Sequence, residues 1–336
     1  MIKESLAKLV QGENLTENEM MDVMERVMEG EVTPTQLGGF LAALRLKGET
    51  VDEIVGGARV MREKSLKVRF RAPLVMDTCG TGGDGSNTFN ISTTVAFVLA
   101  AAGIPVAKHG NRAMSSRCGS ADVLEALGIK VDLPPERVAQ CLETAGIGFM
   151  YAPVYHHSMK HAAGPRRELG FRTIFNMLGP LTNPAGANCQ LLGVYHPDLT
   201  AVFARVLQRL GSHRAMVVHG AGGMDELSLD GDNHVSMLRD GRIDTFKVSA
   251  SEVGLEPAAN QELKGGDARQ NAAIIENILN GSEKGPKLDA VLLNAAAGLF
   301  ISGKARDMKD GVKLARGLIE DGSAHGKLQE LRRLAG

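Results

Sequence analysis

The apolar run Leu74, Val75, Met76 leads through Asp77, Thr78 and Cys79 into a loop in which four of six residues, 80–85, are glycine. An apolar segment of helical character follows over 95–102. A strand, a glycine loop and a helix in that succession leave few folds open. Glycines let backbone N–H groups approach an anion closely, and the start of a helix adds unpaired donors and the positive end of its dipole. The loop therefore predicts a phosphate site. Asp84 sits inside it, and a bare carboxylate repels phosphate unless a metal ion or a protein cation lies between them. A phosphorylated ligand with a divalent metal, Mg²⁺, satisfies both features.

The chain on either side has two grammars. Over 2–68 the apolar spacing is helical, with Leu6, Leu9 and Val10 on one face and Met20, Met21, Met24, Val27 and Met28 on the next. Thr16 with Glu19 and Thr50 with Glu53 are capping boxes, and Thr33 before Pro34 is an N-cap with proline in the first turn. Methionine at this spacing is core packing. After Pro73 short β-like runs alternate with helices, the pattern of an α/β domain with a largely parallel sheet. Strands are predicted at 74–77, 104–107, 147–151, 189–195 and 215–219, a hairpin at 235–238 and 243–248, and a further strand at 288–293. Helices are predicted at 92–102, from Ser120 as cap to 127, at 135–146, over much of 156–182, and at 199–210 and 271–279. The rest closes as helices. The fold class is α/β, a small, mostly helical domain plus a larger α/β domain.

The net charge of −1 over 336 residues gives no global attraction to nucleic acid or acidic membrane, so an anion site must be local. Cys79, Cys118, Cys141 and Cys189 are far apart and form no CxxC pair, against a zinc ribbon or disulfide framework. No signal-like N-terminus or transmembrane stretch is present, and a cytoplasmic enzyme with no membrane partner is expected.

The glycine loop matches GxGxxG literally, but a dinucleotide fold needs an acid near the end of the second strand, and Lys108-His109 stands there. A P-loop fails because no Gly-Lys-Ser/Thr follows the glycines. Asn90, Ile91, Ser92 and Thr93 lie where the loop meets its helix and supply donors for a terminal phosphate, though helix capping alone explains Ser92 or Thr93 taken singly. Residues 108–116 give a second polar strand end, facing the same crevice if the strands are parallel neighbours. Asp225 and Glu226 follow a glycine turn at another strand end. In isolation the pair reads as a solvated turn; beside a phosphate site it reads as a Mg²⁺ ligand pair. His157 and His161 have i, i+4 spacing, but no carboxylate or cysteine nearby completes a zinc site. Arg166 and Arg167 fit surface and site equally.

In order, Gly80-Thr81-Gly82-Gly83-Asp84-Gly85, Asn90 to Thr93, Lys108 to Arg112, Arg166 to Gly170, Arg172 to Asn176, Leu178 to Pro184 and Met224 to Leu227 make the sequence resemble the anthranilate phosphoribosyltransferase family over essentially its whole length. The resemblance implies transfer of the phosphoribosyl group of 5-phosphoribosyl 1-pyrophosphate (PRPP) to anthranilate, releasing pyrophosphate, in tryptophan biosynthesis. It implies a PRPP site of Gly80, Gly83, Asp84, Thr88, Asn90, Ile91, Ser92, Thr93, Lys108, His109, Gly110, Asn111, Arg112, Ala113, Met114, Ser115, Ser116 and Ser120. Gly80, His109, Asn111 and Arg166 are expected to hold anthranilate, and Ser92, Asp225 and Glu226 to serve Mg²⁺. It further implies a discontinuous helical domain, 1–70 completed by about 165–184, an α/β domain of 71–164 and 185–336, and a homodimer formed through the helical domain. No acid/base residue is expected, because the aromatic amine is neutral at pH 7 and attacks directly. The rivals are an enzyme resembling the pyrimidine nucleoside phosphorylases, which share this architecture, and a non-catalytic relative that binds nucleic acid.

Overall fold

A computed structural model describes residues 2–113 and 117–336. The chain opens with four helices, α1 (Ile2–Val10), α2 (Glu17–Glu29), α3 (Pro34–Lys47) and α4 (Val51–Lys64). Thr16, Thr33 and Thr50 each accept from the amide three residues on, while the side chain there reaches back to the cap amide. Three orphan ends are thus satisfied locally, which is why these starts could be read from sequence. Leu9 is buried, but Val10 is 73% exposed, so it does not share the face assigned to it. Successive helical residues point about 100° apart, so with Leu9 facing the core Val10 turns outward.

The larger body holds a seven-stranded sheet in the order β3-β2-β1-β4-β5-β6-β7. Its strands are β1 (Met76–Gly80), β2 (Val106–Gly110), β3 (Ile147–Tyr151), β4 (Cys189–Gly193), β5 (Arg214–His219), β6 (Asn233–Arg239) and β7 (Arg242–Val248). The first five are parallel and the last two antiparallel. Strand order reverses between β1 and β4, the place where open α/β sheets bind ligands beyond their carboxyl ends. Lys108 and His109 lie inside β2 rather than after it, because the strand runs three residues further than its apolar core.

Among the connecting helices, α5 (Ile91–Ala101), α6 (Ser120–Ala126), α7 (Pro135–Ala145) and the one-turn α8 (Ala152–Tyr155) precede α9 (Lys160–Leu169) and α10 (Ile174–Leu178). After β4 come α11 (Leu199–Arg209), α12 (Ala268–Leu279), α13 (Pro286–Ser302), α14 (Met308–Glu320) and α15 (Ser323–Ala335). The strand expected at 288–293 is instead part of α13. Leu288 and every residue from Ala290 to Leu299 are buried, and a helix buried all round shows the same unbroken apolar run as an interior strand. Ser120 is the first helical residue and Gly119 the cap, since the Asp122 carboxylate takes the Gly119 amide at 2.8 Å.

Two large cores result. On one face of the sheet α5 and α13 pack together with α12 and α15. On the other, Leu192, Val194, Ala215 and Val217 join α11 and the side chains of α2, α3 and α4. Helix α9 packs on α2 and α3, and α10 on α3 and α4, so the 160–178 stretch returns to the N-terminal helices.

Candidate active site

The carboxyl ends of β1 and β2, the start of α5 and the turn after β5 converge on one crevice. A narrow cavity there is lined by Thr78, Cys79, Ser92, Val95, Asp225 and Glu226, among others. Any side chain at position 80 would collide with the Asp225 carboxylate, and one at 83, where φ is +69°, would strike the Arg172 guanidinium. Close approach disfavours a side chain at both positions, and at 83 the positive φ adds to it.

The turn that follows β5 carries the two carboxylates. Asn294 of α13 fixes it, accepting from the Leu227 amide at 2.9 Å and donating to the Leu227 carbonyl at 2.9 Å. Asp225 Oδ2 then accepts from the Gly82 amide at 2.7 Å, and Glu226 Oε1 from the Ser92 amide at 3.1 Å. Asn90 makes no side-chain cap on α5. A carboxylate from another element therefore sits at the helix start, where an anion is favoured. Asp84 is anchored by Ser86 and reaches the Asp225 amide at 3.4 Å. Burial, then the Asp84 charge, lifts the Asp225 carboxyl to about 6, and burial with Asp225 and Asp84 nearby holds Glu226 well above the usual carboxylate range.

That crowding of negative charge invites a cation, and the donor set suits Mg²⁺. Magnesium takes one or two carboxylates and completes its octahedron with water and phosphate oxygens. Among the described residues no three His, Cys, Asp or Glu side chains converge as a metal cage, which leaves coordination positions for ligand oxygens. Ser92 presents its hydroxyl beside this pair, and Lys108 Nζ donates to it at 3.2 Å. The ammonium also donates to the Thr78 carbonyl. Lys108 is 3% exposed, and burial depresses its pKa against the pull of Asp77. A buried cation and two carboxylates thus flank the amides of the glycine loop.

Other predicted residues are placed as follows. Thr88 bridges to Lys264, and the Phe89 amide donates to the Leu263 carbonyl, so the 263–265 segment braces the loop from behind. Asn90 bonds Cys118 and Asn271. The Ile91 side chain is in the core, and Thr93 is buried with its hydroxyl unpartnered. Gly110 leaves room for the Ser120 hydroxyl, which donates to the Asn111 carbonyl at 3.3 Å. The Ala113 amide and the Arg112 guanidinium both go to Asp122, Arg112 also to Glu125, so the Arg112 charge is engaged by α6. Met114, Ser115 and Ser116 lie outside the described residues.

His109 points to the opposite face from Lys108 and meets His156 with ring centroids 5.1 Å apart. Burial lowers their pKa values to about 3 and about 4, and each has an unpartnered Nε2. Arg166, on α9, lies 5.1 Å over the Phe175 ring and has no hydrogen bond or ion pair with a described residue. The strand-end groups and Arg166 are thus not directly bonded. The sequence motifs include Arg172, Asp77 and Asn183 but gave them no role in the site: the Arg172 guanidinium donates to the Gly82 and Gly83 carbonyls and stacks 3.9 Å over Tyr195, and Asp77 and Asn183 are bonded beneath the site.

Residues 3–65 match the helical bundle domain of a glycosyl transferase family, and 72–325 the a/b domain of that family. The anthranilate phosphoribosyltransferase of Moorella thermoacetica is 55% identical over 98% of this chain and 97% of its own. The crystal structure of the Thermus thermophilus enzyme of that name superposes with a TM-score of 0.94 at 47% identity, over 98% of this chain and 99% of that one. The Saccharomyces cerevisiae enzyme in complex with PRPP and Mg matches with a TM-score of 0.91 at 28% identity, over 99% of this chain and 97% of that one.

Proposed function

The chain belongs to the anthranilate phosphoribosyltransferase family, and we propose that the crevice described above is where it transfers the 5-phosphoribosyl group of PRPP to the amine of anthranilate, releasing pyrophosphate, in tryptophan biosynthesis. The observation that carries this reading is the meeting of the glycine loop, the Asp225 and Glu226 carboxylates and buried Lys108 at one strand end. Full-length likeness to these transferases leaves neither the phosphorylase nor the nucleic-acid reading favoured.

Breaking the bond from the sugar C1 to oxygen leaves an oxocarbenium-like ribose and a highly charged pyrophosphate, so stabilising the leaving group is the main demand. The amides of Gly82 and Ser92, which Asp225 and Glu226 accept from in this structure, would be donors for phosphate if those carboxylates held a metal. Asp225, Glu226 and the Ser92 hydroxyl would hold Mg²⁺, which when bound neutralises the leaving group. Lys108 adds a fixed positive charge at the same place. Gly80, Gly83, Asp84, Thr88, Asn90, Ile91, Thr93 and Gly110 shape the cradle, with Asn111, Arg112, Ala113 and Ser120 at its second rim. Arg166 would pair with the anthranilate carboxylate, for which its planar fork is suited, with Gly80, His109 and Asn111 lining the approach. No residue need act as a strong base.

The 165–184 stretch completes the helical domain, and that domain forms a homodimer. Val10 and Leu46, 73% and 88% exposed on α1 and α3, are apolar side chains it would cover. A cytoplasmic location accords with four free cysteines; no described helix is long and apolar enough to cross a membrane. Loss of anthranilate fluorescence that requires both PRPP and Mg²⁺ tests the activity; fluorescence unchanged with both present, or an equal loss with either omitted, would overturn it.

A further inference from the structure

Strands β1 and β4 are in register over five residue pairs, from Met76↔Cys189 to Gly80↔Gly193. Between β1 and β2 the ladder has a single pair, Met76↔Val106. Beyond it the two strands that carry the glycine loop and Lys108 are joined by side chains. Asp77 Oδ1 accepts from the His109 amide at 3.2 Å, a bond a strand carbonyl would otherwise make. Its Oδ2 accepts from Asn183 Nδ2 at 2.8 Å, and that same Nδ2 donates to the Ala107 carbonyl at 2.7 Å. On the opposite face Lys108 spans the gap to the Thr78 carbonyl and Ser92. Asp77 is fully buried and Asn183 7% exposed. A carboxylate that deep is costly unless its oxygens are bonded, and here both oxygens are engaged by the neighbouring strand and by the segment that follows α10.

We propose that Asp77 is a positioning residue for the transfer reaction: with Asn183 it forms a strut that replaces the missing β1–β2 ladder and sets the spacing across which Lys108 is aimed at the leaving group. Asp77 touches no substrate in this role; it acts through the strand that carries Lys108. The Asn183 side chain is itself held, its Oδ1 accepting from the Ala185 amide at 2.9 Å. Gln190 of β4 fastens the same segment through the Pro180 carbonyl at 2.5 Å. The strut therefore has a firm far end, which a spacing element needs.

Asp77→Asn tests this with almost no change of shape. Two donors face the two carboxylate oxygens, so an amide in either orientation turns its NH₂ toward one of them. The inference rests on the proposed transferase activity, so wild-type turnover is measured first; its absence would strike that reading and not the strut. With turnover in hand, kcat per folded enzyme should fall roughly 10- to 100-fold in Asp77→Asn while the KM values for PRPP and anthranilate stay within about threefold, because an interaction made chiefly in the transition state is lost. Asn183→Ala should show the same split. The double variant should be little worse than the worse single one, since both act through one element. Tyr155→Phe, which removes a buried bond to the Leu133 carbonyl away from the crevice, should lower Tm with kcat unchanged. Unchanged kcat per folded enzyme in either strut variant, or losses that multiply in the double, would overturn the proposal. So would failure of both strut variants to fold, which would make the strut a matter of stability alone.

Discussion

The two sides that the proposed reaction draws together, the sheet end of the crevice and helix α9, are built on opposite plans. At the sheet end the polar groups are already paired with one another: Gly82 with Asp225, Ser92 with Glu226, Lys108 with Thr78 and Ser92. On α9 the Arg166 guanidinium has, among the described residues, the face of Phe175 and no hydrogen-bond or ion-pair partner. A pre-paired site has to exchange internal bonds for ligand bonds, so its net binding energy is modest and its chemistry depends on the charges that ligand and metal bring. An unpaired cation gives up only water. On the proposed reading, catalysis and metal dependence fall to the sheet end, and selection of an acceptor with a carboxylate to the α9 side.

The largest effect should come from breaking the pre-paired half at its carboxylates. Replacing Asp225 and Glu226 together by alanine should cost about 10³-fold in kcat/KM, on the scale of losing several kcal/mol of transition-state charge stabilisation. The Mg²⁺ titration should move with it, and an unchanged titration would remove both residues from the metal. Lys108→Gln comes next, at about 10²-fold in kcat, comparable to losing one donor to a developing anion. A loss confined to KM would show that the lysine holds PRPP in the ground state only. Arg166→Ala should be smaller and of a different kind. The KM for anthranilate should rise about 10- to 100-fold, the range for one charged hydrogen bond, and the KM for PRPP should hardly move. Equal changes in both would erase the contrast between the halves.

Local chemistry made much of this legible in advance. The three threonine caps need only a partner three residues away, and the glycine loop announces itself between an apolar strand and an apolar helix. What escaped depends on distant partners. Arg172 reaches back about 90 residues to the loop carbonyls, and Asn183 lies 106 residues from Asp77. Both stand in motifs the sequence offers, but nothing in their neighbours along the chain says what they bond. Asp77 did carry a signal, an acid directly after three apolar residues of a strand, which by position has to be buried and bonded. The α13 error has the reverse cause: Asp289 and Asn294 are too few among its apolar residues to set a period that would separate a buried helix from a strand. Gly285 and Pro286 at its start were the available clue, since proline is favoured in the first turn of a helix.

The smallest effect concerns the buried pair on the face of β2 opposite Lys108, where the His109 and His156 rings meet. Their pKa values in the folded protein, about 3 and about 4, lie below the unfolded value near 6.5; burial is the main cause for both, with each other's charge adding to it at His109 and Lys67 adding to it at His156. The unfolded chain then binds more protons between pH 6.5 and 4, so stability falls as pH drops through that window and is fully present above it. Asp77, raised to about 6 by burial, works in the other direction over much of the same range, so the histidine contribution is best read as a difference between variants. His156→Gln removes one titrating ring and keeps a polar side chain. The fall in its Tm from pH 7 to pH 4.5 should be smaller than that of wild type by a few degrees, equivalent to about 2 kcal/mol. A parallel fall in the two proteins would mean that His156 is protonated in the folded state as readily as in the unfolded one, and that the surroundings of the pair are wet rather than dry.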